Sequence, residues 1–207
     1  MKHYENHDIE NALYLDGFEK ICGTDEAGRG PLAGPVVAAA VIMPKGLEIE
    51  GVTDSKKLSK KNRELLEKVI KEKALAYSVI FIDEKTIDEI NILEASRLAM
   101  FKAIQSLSIE PDFVITDAMK LNISIPYQDY IKGDARSFTI ACASILAKVA
   151  RDNYMDEMDK LYPEYQFEHN KGYGTKAHMD AIKKYGICPI HRKSFGPVKK
   201  AIELKLF

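Results

Sequence analysis

The pattern of hydrophobic and polar positions along the chain predicts strands interleaved with helices. Residues 36–43 are continuously apolar between Pro35 and Pro44, which indicates a strand buried on both faces. Four more strands are predicted, at residues 20–25, 75–82, 112–116 and 127–132. Apolar residues three or four positions apart predict helices at residues 59–74, 93–107, 138–159, 176–185 and 197–204. Ser59 is the expected N-cap of the first helix.

This order of elements predicts an α/β fold, a mixed central sheet flanked by helices, with strand directions mixed near its start. A turn-forming segment rich in glycine and proline, residues 27–35, joins the first two strands. The chain has no internal repeat and no linker-like segment. We therefore expect one domain over residues 1–207, with a core at about 18–160 and a C-terminal helical part at about 161–207.

Charge is unevenly distributed along the 207 residues, although the formal net charge is only −1. Residues 1–26 hold two lysines and seven acidic residues, whereas residues 168–207 hold nine lysines and arginines and three acidic residues. This asymmetry indicates that the C-terminal part faces an anion. Helix faces that are merely solvated would explain the same pattern equally well.

The three cysteines, Cys22, Cys142 and Cys188, lie far apart and form no C-x-x-C pair. We expect free thiols in a reducing cytoplasm, and neither a disulfide framework nor a cysteine zinc site. The longest apolar run has ten residues, about half of what a bilayer crossing needs. No membrane partner is therefore expected.

Acidic residues stand where predicted strands end. Asp25 and Glu26 end the first strand, and Asp117 follows the apolar residues 113–115. Asp134 precedes the longest predicted helix. Carboxylates at the ends of adjacent strands would converge, and their repulsion requires a cation, for which oxygen-only ligands select Mg²⁺ or Mn²⁺. The alternative is that each acid is an ordinary strand-end or capping residue, and Asp134 in particular could cap the next helix.

The segment Gly28, Arg29 and Gly30 comes directly after the acidic pair. It lacks the lysine and hydroxyl of a P-loop, and it leads through prolines into a strand rather than into the helix of a dinucleotide site. The remaining functional interpretation is a backbone that approaches a ligand closely, with Arg29 binding phosphate. A plain tight turn is the alternative.

Two further segments could follow a phosphate backbone. Lys56 and Lys57 lie at the start of a predicted helix, where anions bind readily. Ser144 and Lys148 are four residues apart on the longest helix, and Arg151 comes one turn later. A solvated surface explains both segments equally well.

Aromatic and imidazole side chains give weaker signals. Tyr173 lies between two glycines inside the basic region, which suits stacking on a sugar or a base. A tyrosine that packs its loop onto the core is an equally good interpretation. His169, His178 and His191 lack zinc-ligand spacing, and no serine or cysteine has an identifiable histidine partner, so a hydrolase triad has no support.

The ordered series of motifs resembles bacterial type 2 ribonuclease H, ribonuclease HII. Residues 24–35, TDEAGRGPLAGP, resemble the opening signature of that family. Further matches follow in order at residues 54–59, 116–117, 132–134, 143–149, 172–174 and 191–195. The match spans nearly the whole chain, and it implies a ribonuclease H-like fold with a C-terminal helical part that embraces the duplex.

The resemblance also implies the roles of particular residues. The catalytic and metal-binding acids of the family correspond to Asp25, Glu26, Asp117 and Asp134. Its ribonucleotide-reading loop corresponds to residues 28–30, whose backbone contacts the 2′-hydroxyl. Its sugar-sensing tyrosine corresponds to Tyr173, and Lys56, Lys57, Ser144 and Lys148 fall within matched segments and are expected to bind substrate.

The activity implied is an endoribonuclease that hydrolyses the RNA strand of RNA–DNA hybrids and cuts beside single ribonucleotides in duplex DNA. Two Mn²⁺ or Mg²⁺ ions would serve catalysis and leave a 5′-phosphate and a 3′-hydroxyl. We expect a cytoplasmic monomer whose affinity for duplexes falls with salt. A frayed helix end explains residues 204–207 better than docking on a replication clamp, for which the sequence offers no support.

Two other functional classes remain open at this point. A DNA-processing transferase or junction nuclease of similar fold would also need clustered acids and metal, but it would ignore the 2′-hydroxyl. A non-catalytic nucleic-acid-binding module would bind hybrids without metal-dependent turnover. Duplexes with and without one ribonucleotide, tested with and without divalent metal, separate all three.

Overall fold

The computed structural model describes residues 7–52 and 58–204. The strands are β1 (Ile21–Ala27), β2 (Val36–Ile42), β3 (Ala76–Ile82), β4 (Phe113–Asp117) and β5 (Tyr127–Tyr130). The helices are α1 (Asp8–Leu15), α2 (Lys60–Lys73), α3 (Glu84–Gln105), α4 (Gly133–Arg136), α5 (Phe138–Leu161), α6 (Phe167–Asn170), α7 (Lys176–Tyr185) and α8 (Gly196–Glu203). Every strand and helix that the hydrophobic pattern predicts is present, with ends shifted by a few residues except at the start of α3, which begins nine residues earlier.

The five strands form one sheet in the order β3-β2-β1-β4-β5. The first three strands along the chain pair antiparallel, whereas β4 pairs parallel with both β1 and β5. The sheet is therefore mixed in the way the sequence predicts. Because β1 and β4 are adjacent and parallel, their carboxyl ends lie side by side at one edge of the sheet.

Helices cover both faces of this sheet, with α3 on one face and α5 on the other. Strand β2 divides its side chains between the two layers: Val36 and Ala38 pack in the α3 layer, while Ala39 and Val41 pack in the α5 layer. All of its residues are buried, which explains the unbroken apolar run. Helix α2 packs outside α5.

Helix α3 begins earlier than predicted and consists of two segments. Asn91 has a left-handed φ of 68° inside it, and its side-chain oxygen accepts hydrogen bonds from the backbone N–H groups of Leu93 and Glu94. Asn91 thus caps the second segment, which is the helix predicted at residues 93–107. The first segment begins after Asp83, whose side chain accepts from the N–H of Thr86.

Helix α1 is an element that the sequence analysis missed. Ile9 and Leu13 pack against β1, β4 and the start of α5. The buried Glu10 accepts hydrogen bonds from Ser137 Oγ at 2.5 Å and from the N–H of Thr139 at 2.9 Å. A carboxylate at the N-terminus of a helix is favoured by the exposed N–H groups there, so α1 fixes the start of α5.

The C-terminal helices build a separate apolar cluster around Phe167, Ile182 and Val198. Leu32 and Ala33 of the glycine-rich segment belong to this cluster, so the segment is held between the sheet and the C-terminal helices. The three cysteines are free and buried, as expected. Among the described residues, none of the helices is both long enough and apolar enough to cross a membrane.

Candidate active site

Three aspartates meet at the edge where β1 and β4 end. Thr24 pairs with Thr116, so the next residues, Asp25 and Asp117, are neighbours across the two strands. Asp134 lies on α4, and the adjacent Gly133 donates its N–H to Asp117 Oδ1 at 2.7 Å. Carboxylate oxygens of Asp25, Asp117 and Asp134 all lie within 4.8 Å of one another. The predicted convergence is present for these three acids.

The residue that caps α5 is Ser137 rather than Asp134. Its side chain accepts a hydrogen bond from the N–H of Ile140 at 3.0 Å. Asp134 itself is buried, on the short helix α4 rather than in a loop. The capping interpretation of Asp134 is therefore wrong, and its carboxylate faces the other two aspartates.

Glu26 lies beside this group rather than within it. Successive side chains of a strand point to opposite faces, and β1 continues to Ala27, so Asp25 and Glu26 diverge. Glu26 Oε1 is 3.4 Å from Arg29 Nη1, and Glu26 Oε2 is buried with no hydrogen-bond partner among the described residues. The participation of Glu26 in a four-acid cluster stays a prediction.

The protein environment shifts the pKa values of the acids in the site. Burial, followed by the charges of Glu26 and Asp117, raises the pKa of Asp25 well above its usual range. Burial also raises the pKa of Glu26, and Arg29 opposes that effect. A hydrogen bond with Ser144 and one from the N–H of Glu26 at 2.7 Å partly offset the cost at Asp25. Burial and like charge therefore disfavour the ionised form of Asp25 in the protein alone.

A cleft of about 410 Å³ opens beside Asp25. Its walls include Glu26, the segment 28–30, Ser144, Lys148 and Tyr173. Most of the predicted site residues thus line one cavity. Lys56 and Lys57 lie outside the described residues, as do residues 205–207.

The basic residues of the cleft are partly engaged within the protein. Lys148 Nζ donates to Asp152 Oδ1 at 2.6 Å, and Arg63, which the sequence analysis missed, contacts the same carboxylate at 3.4 Å. Arg151 is only 1% exposed and donates to the carbonyls of Pro35, Lys171 and Ala33. Arg151 also lines the cleft, but its guanidinium donates to backbone carbonyls, so a contact between Arg151 and phosphate stays a prediction.

Tyr173 stands at the mouth of the cleft with 46% of its surface exposed. A chain of hydrogen bonds supports its backbone: His178 Nδ1 lies 2.9 Å from the Tyr173 carbonyl oxygen, and the Nε2 atoms of His178 and His191 lie 3.0 Å apart. A carbonyl only accepts, so His178 Nδ1 is the donor, His191 Nε2 donates to His178, and His191 Nδ1 accepts from the N–H of Cys188. Burial lowers the pKa of His191 to about 4, which keeps this ring neutral at pH 7.

Comparisons with known proteins show which family the chain resembles. The family model described as ribonuclease HII matches residues 22–198. The chain is 57% identical over 190 residues to the ribonuclease HII of Caldicellulosiruptor bescii, a match that covers 91% of this chain and 92% of that relative. It is 52% identical over 194 residues to the ribonuclease HII of Enterococcus faecalis, covering 94% of this chain and 76% of the relative.

A solved structure shows the same fold. The crystal structure of ribonuclease H2 from Pyrococcus horikoshii superposes with a TM-score of 0.77 at 28% identity, and the match covers 89% of this chain and 98% of that chain. The predicted ribonuclease H-like fold is thereby confirmed. On the family match and the two relatives together, the chain belongs to the ribonuclease HII family of hydrolytic endonucleases.

Proposed function

We propose that the chain hydrolyses the RNA strand of RNA–DNA hybrids and also cuts duplex DNA beside a single embedded ribonucleotide. The observation that carries this proposal is a group of three carboxylates within 4.8 Å beside a cleft walled by the glycine loop, residues 28–30. Acids suit phosphoryl chemistry, and a backbone without side chains suits close contact with a sugar. The two features occur together at one edge of the sheet.

The donor set fits divalent cations. Asp25, Asp117 and Asp134 offer converging oxygens, and Glu26 Oε2 is a buried acceptor without a partner among the described residues. Oxygen ligands of this kind select Mg²⁺ or Mn²⁺, and we assign two ions to these four acids during catalysis. When bound, the ions supply a nucleophilic water at neutral pH and stabilise charge on the leaving 3′-oxygen, so the products carry a 5′-phosphate and a 3′-hydroxyl.

The protein orients its carboxylates before the substrate arrives. Asp25 is held by Ser144 and by the N–H of Glu26, and Asp117 is held by the N–H of Gly133. These contacts limit the carboxylates to one arrangement, which spares the reaction the cost of ordering them. Selectivity for RNA then requires contact with the 2′-hydroxyl, which we assign to the backbone of residues 28–30.

We assign duplex binding to the basic residues around the cleft and to the C-terminal helical part. Lys148 and Arg63 lie on the cleft wall, and Lys56 and Lys57 precede α2 in sequence. The exposed lysines of α7 and α8 add positive charge beyond it. Such contacts go to phosphates and carry no sequence information. A cytoplasmic monomer is the form we propose, in keeping with the free, buried cysteines.

A cleavage assay with matched duplexes tests the function. One duplex carries a single ribonucleotide, the second is all DNA, and the third is an RNA–DNA hybrid; each is incubated with Mg²⁺, with Mn²⁺ or with a chelator. We expect metal-dependent cutting of the first and third duplexes only. Cutting of the all-DNA duplex would indicate a junction nuclease instead, and binding without turnover would indicate a non-catalytic module.

We expect Tyr173→Ala to slow cutting at a lone ribonucleotide by about 10- to 100-fold, because stacking on an aromatic ring contributes about 1–3 kcal/mol per contact. Thermal stability should change little, since 46% of the residue is exposed. The measurement is single-turnover cleavage with Tyr173→Phe as the control, which keeps the ring and should retain most of the rate. Normal cutting by Tyr173→Ala would exclude the sensing role.

A further inference from the structure

Arg192 is a buried cation that none of the site assignments above uses. It is 0% exposed, and its guanidinium donates three hydrogen bonds to backbone carbonyls: Nε to Gly34 at 2.8 Å, Nη1 to Arg29 at 3.0 Å and Nη2 to Gly28 at 2.6 Å. Two of these carbonyls belong to the glycine loop. Arg192 therefore contacts the loop from behind, on the side away from the cleft.

The backbone around Arg192 joins the same two segments. Its N–H donates to the Leu32 carbonyl at 2.9 Å, and the N–H of Gly34 donates to the Ile190 carbonyl at 2.9 Å. Ala33 and His191 form the intervening β-bridge. Backbone pairing between the two segments thus fixes the position of Arg192. The hydrogen bonds of its guanidinium fix the side chain in addition.

Burial of a cation without an ion-pair partner is energetically unfavourable unless hydrogen bonds compensate for it. Arg192 forms no ion pair with a carboxylate among the described residues. Burial, followed by the charge of Arg151, lowers the pKa of Arg192 to about 9. Replacing a buried charge with an apolar side chain is often neutral or stabilising. A planar guanidinium can, however, hold several carbonyls at fixed angles, which neither an apolar residue nor a lysine can do.

Fixing the carbonyls also fixes the amides of the loop. In a trans peptide the C=O and the following N–H point in opposite directions, and no described peptide bond is cis. The carbonyls of Gly28 and Arg29 point inward to Arg192, so the N–H groups of Arg29 and Gly30 point outward. Both residues line the cleft, and neither N–H donates to another backbone group of the described chain.

We propose that Arg192 is a positioning residue for ribonucleotide recognition: its guanidinium holds the glycine loop so that the N–H groups of Arg29 and Gly30 face the 2′-hydroxyl of the substrate. The inference rests on the proposed function, because it assigns the 2′-hydroxyl to this loop. Arg192 itself touches no substrate. Its effect is on the discrimination between a ribose and a deoxyribose rather than on the affinity for duplexes in general.

Binding measurements in an Asp134→Asn background, which removes a metal-binding acid, separate these two effects. The dissociation constants of a duplex with one ribonucleotide and of the same all-DNA duplex are compared in Mg²⁺. We expect the parent to bind the ribonucleotide duplex about tenfold more tightly. With Arg192→Lys added, the ratio of the two dissociation constants should fall to nearly one. The affinity for the all-DNA duplex should stay within about twofold of that of the parent.

Arg151→Lys is the matched control. Arg151 is as deeply buried as Arg192 and its side chain packs against Gly28, but it donates to the carbonyls of Pro35, Ala33 and Lys171 and to neither carbonyl of the loop. If Arg192 contributes only to stability, both variants should give the same outcome. If Arg192 positions the loop, only Arg192→Lys should lower the ratio of the two dissociation constants. If Arg192→Lys does not fold, Arg192→Gln, which buries no charge and can still reach one carbonyl, gives the same comparison.

Each result is decisive. A tenfold ratio in the parent that persists in the Arg192 variants overturns the positioning role and leaves the proposed function intact. A ratio of one in the parent overturns the assignment of the 2′-hydroxyl to the loop, and the positioning role with it. An equal fall of this ratio in the Arg192 and Arg151 variants would show that the whole glycine-rich segment is disrupted, and it would also overturn the specific positioning role of Arg192.

Discussion

Asp25→Asn should lower the rate of cleavage by at least about a thousandfold, because a carboxylate ligand contributes several kcal/mol of transition-state stabilisation through the cations that it holds. Affinity for the duplex should change by only a few fold, since we assign the phosphate contacts to other residues. Single-turnover cleavage and equilibrium binding measure the two quantities. Retention of the full rate would refute the assignment of metal binding to Asp25.

The same substitution should stabilise the metal-free protein at neutral pH. Burial and the neighbouring acids raise the pKa of Asp25 in the folded state, so the unfolded chain loses this proton first as pH rises. Between the ordinary aspartate pKa of 3.8 and the raised value, the folded state binds more protons than the unfolded state, and stability falls with increasing pH. Asparagine carries no charge and avoids this loss.

Calorimetry in a chelator and then in Mg²⁺ tests this linkage. Wild type should gain thermal stability when Mg²⁺ is added, and this gain should shrink in Asp25→Asn because a ligand is missing. Asp180→Asn, at an exposed aspartate of α7, is the control and should change neither measurement. A metal-free Asp25→Asn protein that melts below wild type at pH 7 would contradict the electrostatic account.

Gly23→Ala should lower the free energy of unfolding by about 3 kcal/mol or more. A Cβ atom on Gly23 would lie 2.5 Å from the carbonyl carbon of Thr139 and 2.6 Å from the N atom of Ile140. Both are backbone atoms of the first turn of α5, so no side-chain rotation relieves the overlap. Strand β1 and helix α5 would have to separate, and they carry Asp25 and Ser144.

Urea denaturation of Gly23→Ala measures this effect, and Gly196→Ala is the matched control. A Cβ on Gly196 would meet no atom within 4 Å, and Gly196 is the first residue of α8. We expect this control to stay within about 0.5 kcal/mol of wild type. Equal stability of the two variants would show that α5 does not approach β1 as closely as described.

The sheet could be predicted from the sequence because its strands carry a strong local signal. Strand β2 is apolar at every position, and the adjacent parallel strands β1 and β4 place Asp25 and Asp117 side by side. The second segment of α3 was predicted from its spacing, whereas the first was not, because Asn91 interrupts the helical pattern. The local hydrophobic pattern thus sufficed to predict the strands and helices and the approach of the acids at the strand ends.

The buried charged residues that hold the backbone around the site could not be predicted, since charged residues are expected on the surface. Glu10 and Arg192 are buried, yet nothing in their local sequence distinguishes them from solvated residues. The charge argument also overstated the basic surface, because Arg192 is 0% exposed and Lys171 is paired with Asp156. The partners of Glu10 and Arg192 lie more than a hundred residues away in sequence, and only tertiary structure brings such groups together.

The long separation between the glycine loop and Arg192 has a consequence for synthesis of the protein. The hydrogen bonds join residues 163 and 164 positions apart, so they cannot form until almost the entire chain has left the ribosome. The three aspartates come from residues that emerge much earlier. A nascent chain therefore carries its acids before its glycine loop is fixed, and the discrimination between ribose and deoxyribose that we propose for this loop can arise only after Arg192 has emerged.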